Sequence, residues 1–189
     1  MVGKLLRETQ WKWLLAWLGL GSGTSAAVSA LVVMPNGDLV AGGSFSAAGG
    51  KAANRIARWN GTGWSSLGGG ANNGMNNAIN ALAVVGNGAG GGSSLYATGH
   101  FTTAGGVAAN RVARWNGLTW SPLSSGLNGN GHALAAVDDG SGPALVVATR
   151  PTTGTIGDLV VARDVTVDPR DGTVPAPHEQ RLAHPQAVP

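Results

Sequence analysis

The chain has 189 residues, 43% of them hydrophobic and 11% charged, with 32 glycines, no cysteine and a formal charge of +3. Disulfides and cysteine-based metal sites or nucleophiles are excluded, a helical bundle is disfavoured, and so is disorder driven by charge. The excess of 12 Lys and Arg over 9 Asp and Glu is too small to make a polyanion-binding surface, so no nucleic-acid partner is expected.

In residues 1–17, Lys4 and Arg7 precede an apolar stretch that runs from Trp11 to Leu20 and is interrupted by Lys12. Two readings stand. The stretch sketches a secretory signal, with Ser25, Ala26 and Ala27 as the small residues beyond it. Alternatively, Leu18–Thr24 ends an earlier repeat, because Leu18-Gly19-Leu20-Gly21 leads to Val28-Ser29-Ala30-Leu31 much as Leu67-Gly68-Gly69-Gly70 leads to Ile79-Asn80-Ala81-Leu82. Trp13 or Trp17 then stands where Trp64 does. The stretch is far too short to cross a bilayer, and no membrane span is expected.

From residue 30 the chain reads as strand, turn, strand: Ala30–Met34, the turn Pro35-Asn36-Gly37-Asp38, then Leu39–Gly43. The pattern returns as 81–85 and 95–99 around a Gly-rich loop, and again as 133–137 and 145–149 around Asp138-Asp139-Gly140. A second hairpin follows in the first two units. Residues 55–59 and 63–67 flank Asn60-Gly61-Thr62, and 111–115 and 119–123 flank Asn116-Gly117-Leu118. A unit is therefore four short strands. The units run 30–80 and 81–132, with a partial one at 133–150. Residues 151–168 have room for extra strands, and the Pro-rich 169–189 is expected to be disordered.

The decisive pattern is repetition. GSFSAAGGKAANRIARWNGTGWSSL at 43–67 returns 56 positions later as GHFTTAGGVAANRVARWNGLTWSPL at 99–123, with 17 of 25 positions identical. Self-similarity at a period near 50 residues marks one supersecondary unit copied and stacked. The expected fold is all-β: consecutive four-stranded antiparallel blades of a β-propeller, incomplete and open.

The residues that define the repeat are Phe45, Asn54, Arg58, Trp59, Asn60, Gly61 and Trp64, with Phe101, Asn110, Arg114, Trp115, Asn116, Gly117 and Trp120 as their counterparts. Over roughly 18–150 these units resemble the Gly-rich, kelch-like β-propeller repeats of bacterial secreted and surface proteins. The shared form is G-x-F-x-x-A-G-G, then N-x-[IV]-A-x-W-[ND]-G, then W-S-x-L-G. The resemblance implies a scaffold or interaction surface at the cell surface or outside the cell, and a chain that is a piece of a larger repeat protein.

Candidate chemistry is sparse. The unit tryptophans read as packing between blades, with a carbohydrate-stacking platform as the alternative. Arg55, Arg58, Arg111 and Arg114 could clamp an acid, but bonding to turn carbonyls or facing water is the plainer role. Asn54 and Asn110 suit side chains that bond their own backbone turn. Asn72, Asn73, Asn76, Asn77 and Asn80 form an inter-unit loop that could bind sugar hydroxyls. His100, His132, His178 and His184 show no metal-ligand spacing, and Asp138-Asp139-Gly140 lacks the remainder of a calcium loop. Glu occurs only at Glu8 and Glu179, outside the repeats, so there is no acid–base pair to assign. No catalytic residue, cofactor or metal is expected.

The function expected is a non-catalytic repeat module acting as scaffold or as a protein or glycan interaction surface, secreted or on the cell surface. Self-association through open blade edges is expected as well. The alternative is one wall of a carbohydrate-active or oxidative enzyme whose site is completed by further blades.

Overall fold

The computed structural model describes residues 20–68, 73–86, 92–138 and 143–150, together with the strands at 159–162 and 180–181. Every element among them is a β-strand, and every strand pairing is antiparallel. The first sheet is a meander of β1 (Val28–Val33), β2 (Leu39–Gly43), β5 (Ile56–Trp59) and β6 (Trp64–Ser66). The second repeats it with β7 (Ile79–Gly86), β8 (Ser93–Gly99), β11 (Val112–Trp115) and β12 (Trp120–Pro122). The third holds β13 (Asn130–Asp138), β14 (Pro143–Arg150), β15 (Leu159–Ala162) and β16 (Gln180–Arg181).

Two short ribbons were not foreseen. The Ala-Gly-Gly segments fold into β3 (Ala47–Ala48) with β4 (Lys51–Ala52), and β9 (Thr103–Ala104) with β10 (Val107–Ala108). β15 falls in the stretch with room for extra strands. β16 lies inside the segment expected to be disordered, where Arg181 and Gln180 pair with Val160 and Val161. The signal-like 1–17, with Trp13 and Trp17, and most of 169–189 lie outside the described residues.

The first strand of each unit also starts earlier than the apolar alternation suggests. Each contains a register shift, at Ser29, Asn80 and His132 respectively. A bulge accommodates one extra residue in a strand and so lets pairing extend past a polar position that breaks the pattern.

Alternation decides which side chains meet. In the second sheet, Leu82, Val84, Leu95, Ala97, Ala113 and Trp120 share one face. They are packed with Val32, Val40 and Ile56 of the first sheet into a single core. The opposite face, with Ala83, Val85, Tyr96 and Val112, is packed with Leu134, Leu145 and Val147 of the third sheet. The order is therefore sheet on sheet, and β7 lies beside both β1 and β13. A third cluster, Ala41, Phe45, Ala48, Ala53, Ala57 and Trp64 with Trp59, lies on the other face of the first sheet.

The two junctions solve the same steric problem in opposite ways. Gly42 of β2 faces Ile79 of β7, and a Cβ on Gly42 would come within 2.8 Å of the Ile79 side chain. One junction further on, Thr98 of β8 stands where Gly42 stood, and the residue opposite it is Gly131 of β13, which has no room for a Cβ against Thr98. Bulk has moved across the seam while the sum has stayed nearly constant, as close packing requires.

This makes a testable pair. Gly42→Thr should lower the unfolding free energy by about 1–3 kcal/mol through overpacking. Combined with Ile79→Gly it should cost less than the two single changes summed, because the pair then copies the Thr98–Gly131 arrangement. Urea titrations of the four proteins check this; strict additivity would show that the two positions do not share a seam.

Candidate functional site

One edge of the stack gathers the irregular backbone. Here the first strands begin, the second strands end, the third strands begin, and the two short ribbons project. The linkers 20–27, 73–78 and 124–130 run along it. At the opposite edge lie the tight turns at Asn36-Gly37, Asn60-Gly61 and Asn116-Gly117. In the last two, Asn60 Oδ1 accepts from the Thr62 and Gly63 amides at 3.1 and 3.0 Å. Asn116 Oδ1 does the same for Leu118 and Thr119 at 2.9 and 2.8 Å. The glycine that follows each Asn has φ of 93° or 102°, a conformation that glycine adopts without strain.

Side-chain amides and hydroxyls hold the irregular edge together. Asn76 Oδ1 accepts from the Thr102 and Thr103 amides at 2.9 and 3.0 Å, and its Nδ2 donates to Thr102 Oγ1 at 2.9 Å. Ser25 Oγ receives the Ser46 and Ala47 amides one unit earlier, each at 3.0 Å. The linkers are also tied to the preceding unit: the Met75 amide donates to Asn54 O at 3.0 Å, and the Leu127 amide to Asn110 O at 2.9 Å.

This corrects the reading of Asn54 and Asn110. Among the described residues, both side chains bond across to the following linker and neither bonds its own turn. Asn54 Nδ2 donates to Asn73 Oδ1 at 2.6 Å, and Asn110 Nδ2 donates to Ser125 O at 3.2 Å, both across to the following linker. Sequence spacing could not reveal this, because the partners are 19 and 15 residues away. The next residues, Arg55 and Arg111, have φ of 65° and 64°, left-handed values that a non-glycine residue adopts at some cost.

The other motif residues are placed as follows. Phe45 and Phe101 are fully buried. Trp64 Nε1 donates to Leu20 O at 2.8 Å, and Trp120 Nε1 to Leu67 O at 3.1 Å, so each buried indole is pinned to the segment before its unit. Trp59 and Trp115 tilt against them with ring centroids 5.6 and 5.3 Å apart. Leu20, not Leu18, thus takes the place of Leu67. The exposed Arg58 forms an ion pair at 3.5 Å with the largely covered Asp38, and Arg114 Nε donates to Ser94 Oγ at 2.9 Å. Arg111 donates to Leu127 O at 2.9 Å and to Asn130 Oδ1 at 3.2 Å.

The structure also joins two residues that the sequence leaves 32 positions apart. His100 follows β8 and His132 is the bulged residue of β13; their rings meet edge-on with centroids 6.3 Å apart, and both are exposed. Gly131 permits this approach by letting β13 close on Thr98. Asn80, the bulged residue of β7, donates from Nδ2 to Gly131 O at 2.8 Å and fixes the same corner. A metal normally takes three or four protein ligands, and among the described residues no group of three suitable side chains occurs. His178, His184, Asn72, Asp139 and Gly140 lie outside the described residues.

The described carboxylates are confined to one edge, where Arg58 pairs with Asp38. Lys51, Arg55, Arg111 and both histidines belong to the irregular edge, whereas Asp38 and Asp138, the only carboxylates among the described residues, end or follow first strands at the opposite one. Comparison with family models, with curated proteins and with solved structures returns no match.

Asn76→Ala removes the acceptor for two backbone amides. Stability should fall by about 1–3 kcal/mol, and the Thr102 and Thr103 amides should lose hydrogen-exchange protection ahead of the β8 amides. Unchanged protection at those two amides would count against the clamp.

Proposed function

We propose that the chain is a non-catalytic β-propeller-type repeat module of the Gly-rich, kelch-like kind, acting as a scaffold whose irregular edge binds a protein or glycan partner. The supporting observation is a division of labour within the repeat. Of the eight positions at which 43–67 and 99–123 differ, four lie on this edge, at Ser44, Ser46, Ala47 and Lys51 and their counterparts. Most of the shared positions are structural: Phe45, Ala48, Ala53, Ala57, Trp64 and Leu67 are buried, and Asn60 and Trp64 bond to backbone. Binding residues in repeat proteins vary over a constant frame.

The chemistry of that edge is donor-rich. It offers Lys51, the two imidazoles and the exposed Asn76 and Asn77 on an anchored backbone, with both described carboxylates remote. Such a surface favours a partner carrying carboxylates or other acceptors, such as an acidic glycan or an acidic peptide. An envelope or extracellular setting fits that class of partner. A scaffold role needs no acid–base pair, and the frame residues are fully occupied in holding the sheets.

The test is binding of labelled chain to arrays of acidic glycans and acidic peptides. The His100→Ala, His132→Ala, Lys51→Ala triple variant should bind at least about tenfold more weakly while keeping its melting temperature within a few degrees. Binding by wild type and triple variant alike would remove this edge from the interaction. Turnover of an arrayed glycan would favour an enzyme instead.

A further inference from the structure

Each sheet junction within the chain uses two different faces. One is the leading face of the later sheet (Leu82, Val84 and Leu95 in the second), and the other is the trailing face of the earlier sheet (Val32, Val40 and Ile56 in the first). Three sheets make two junctions and leave one face of each kind over. The spare leading face belongs to the first sheet. It is open along β1, where Leu31 and Val33 are 61% and 63% exposed although their counterparts Leu82 and Val84 are packed against the first sheet; Ala41, Ala57 and Trp64 on the same face are buried in the third cluster. The spare trailing face belongs to the third sheet, where Val137 is 42% exposed and Ala133 and Ala135 are exposed; the counterparts of Val137 and Ala135 in the second sheet, Val85 and Ala83, are buried.

We infer that these two faces are one interface: the third sheet of one copy docks on the first sheet of a second copy, head to tail. It continues the junction already made twice within the chain, and the seam position decides the fit. Gly42 meets Ile79, and Thr98 meets Gly131; the next pair in the same series is Ala148 with Val28. That pair sets a small residue against a branched one. It resembles the first junction and avoids the two large residues that would clash. Val28 is 40% exposed and has no opposing residue from an earlier sheet among the described residues. A heterologous interface either closes into a ring or propagates. Two copies of three sheets would make a six-bladed ring, within the four to eight blades by which propellers close. This inference rests on the sheet packing and is independent of what the irregular edge binds.

The experiment uses the full chain and measures mass by light scattering after size-exclusion chromatography, with near-UV circular dichroism to confirm that each variant is folded. Wild type should run as a dimer at about 50 µM, well above the micromolar dissociation range of a modest interface. A head variant, Leu31→Glu with Val33→Glu, and a tail variant, Ala135→Glu with Val137→Glu, should each run as monomers. Mixed in equal amounts they should return to dimer, since one intact face of each kind remains. A monomeric wild type would overturn the inference, and so would a dimer that survives both variants. If wild type is monomeric and Leu31 and Val33 are nevertheless protected from radical footprinting, the face is covered by the chain's own residues 1–19. If they are labelled, it is left for a different partner. Loss of dimer with array binding retained, or the reverse, separates this interface from the proposed binding edge.

Discussion

The constraint on which this structure depends is that no sheet can bury itself. Each four-stranded meander is apolar on both faces over its first three strands, so a single sheet would leave Val40, Ile56, Leu95 or Tyr96 in water. Burying such side chains is worth about 1.5–3 kcal/mol each, and in this chain the burial is supplied by neighbouring sheets. Stability is therefore shared between units, as in other repeat architectures, with the seam between sheets as its basic element. The exchange of Gly42 with Ile79 for Thr98 with Gly131 follows directly. Selection can alter either residue at the seam only if the other changes too, because the space between sheets is the conserved quantity.

Polar side chains answer a second demand created by the first. Stacking the sheets brings linkers and ribbons together on one edge, where backbone donors would be left without partners. Asn76 and Ser25 accept from such amides with short side chains, while Asn110 donates to the Ser125 carbonyl and Asn54 to the Asn73 side chain of the following linker. The indole N–H groups of Trp64 and Trp120 satisfy carbonyls at Leu20 and Leu67 while their rings fill space. The motif that makes the repeat recognisable thus serves several ends: Phe45 and Phe101 fill the core, Asn60 and Asn116 close the turns, and Asn54 and Asn110 tie the irregular edge to the following linker, next to the left-handed backbone at Arg55 and Arg111.

How much of this was legible in the sequence depends on range. The hairpins were readable because Asn-Gly turns and the alternation around them are local, and four strands per unit followed from them. The repeat placed Phe45 beside Phe101 and Trp64 beside Trp120 in role. What was not legible involves partners chosen by the fold. Asn54 looked like a turn residue because its true acceptor, Asn73, lies in the next linker. The ribbons β3–β4 and β9–β10 were hidden because two-residue strands of Ala, Lys, Thr and Val carry no periodic signal. The meeting of His100 with His132 depends on Gly131, and nothing in the spacing of the histidines announces it. The bulges misled in a different way: a polar residue at Ser29, Asn80 and His132 interrupts the alternation, so each strand seemed to begin after it.

The third sheet shows that stacking and edge bonding are separable. It lacks the G-x-F and Ala-Gly-Gly segments, yet β14 still pairs with β15, and Leu145 and Val147 still bury against the second sheet. The seam asks only for apolar residues at alternate positions and for the right bulk at one of them. The linker 124–130 keeps its bonds to Asn110, but Asn128, in the place of Asn76, faces no ribbon among the described residues. A sheet can therefore shed the motif and keep its place in the stack. The two full units, which carry Lys51, His100 and the Asn76 clamp, are therefore where the proposed binding edge is built on an anchored frame.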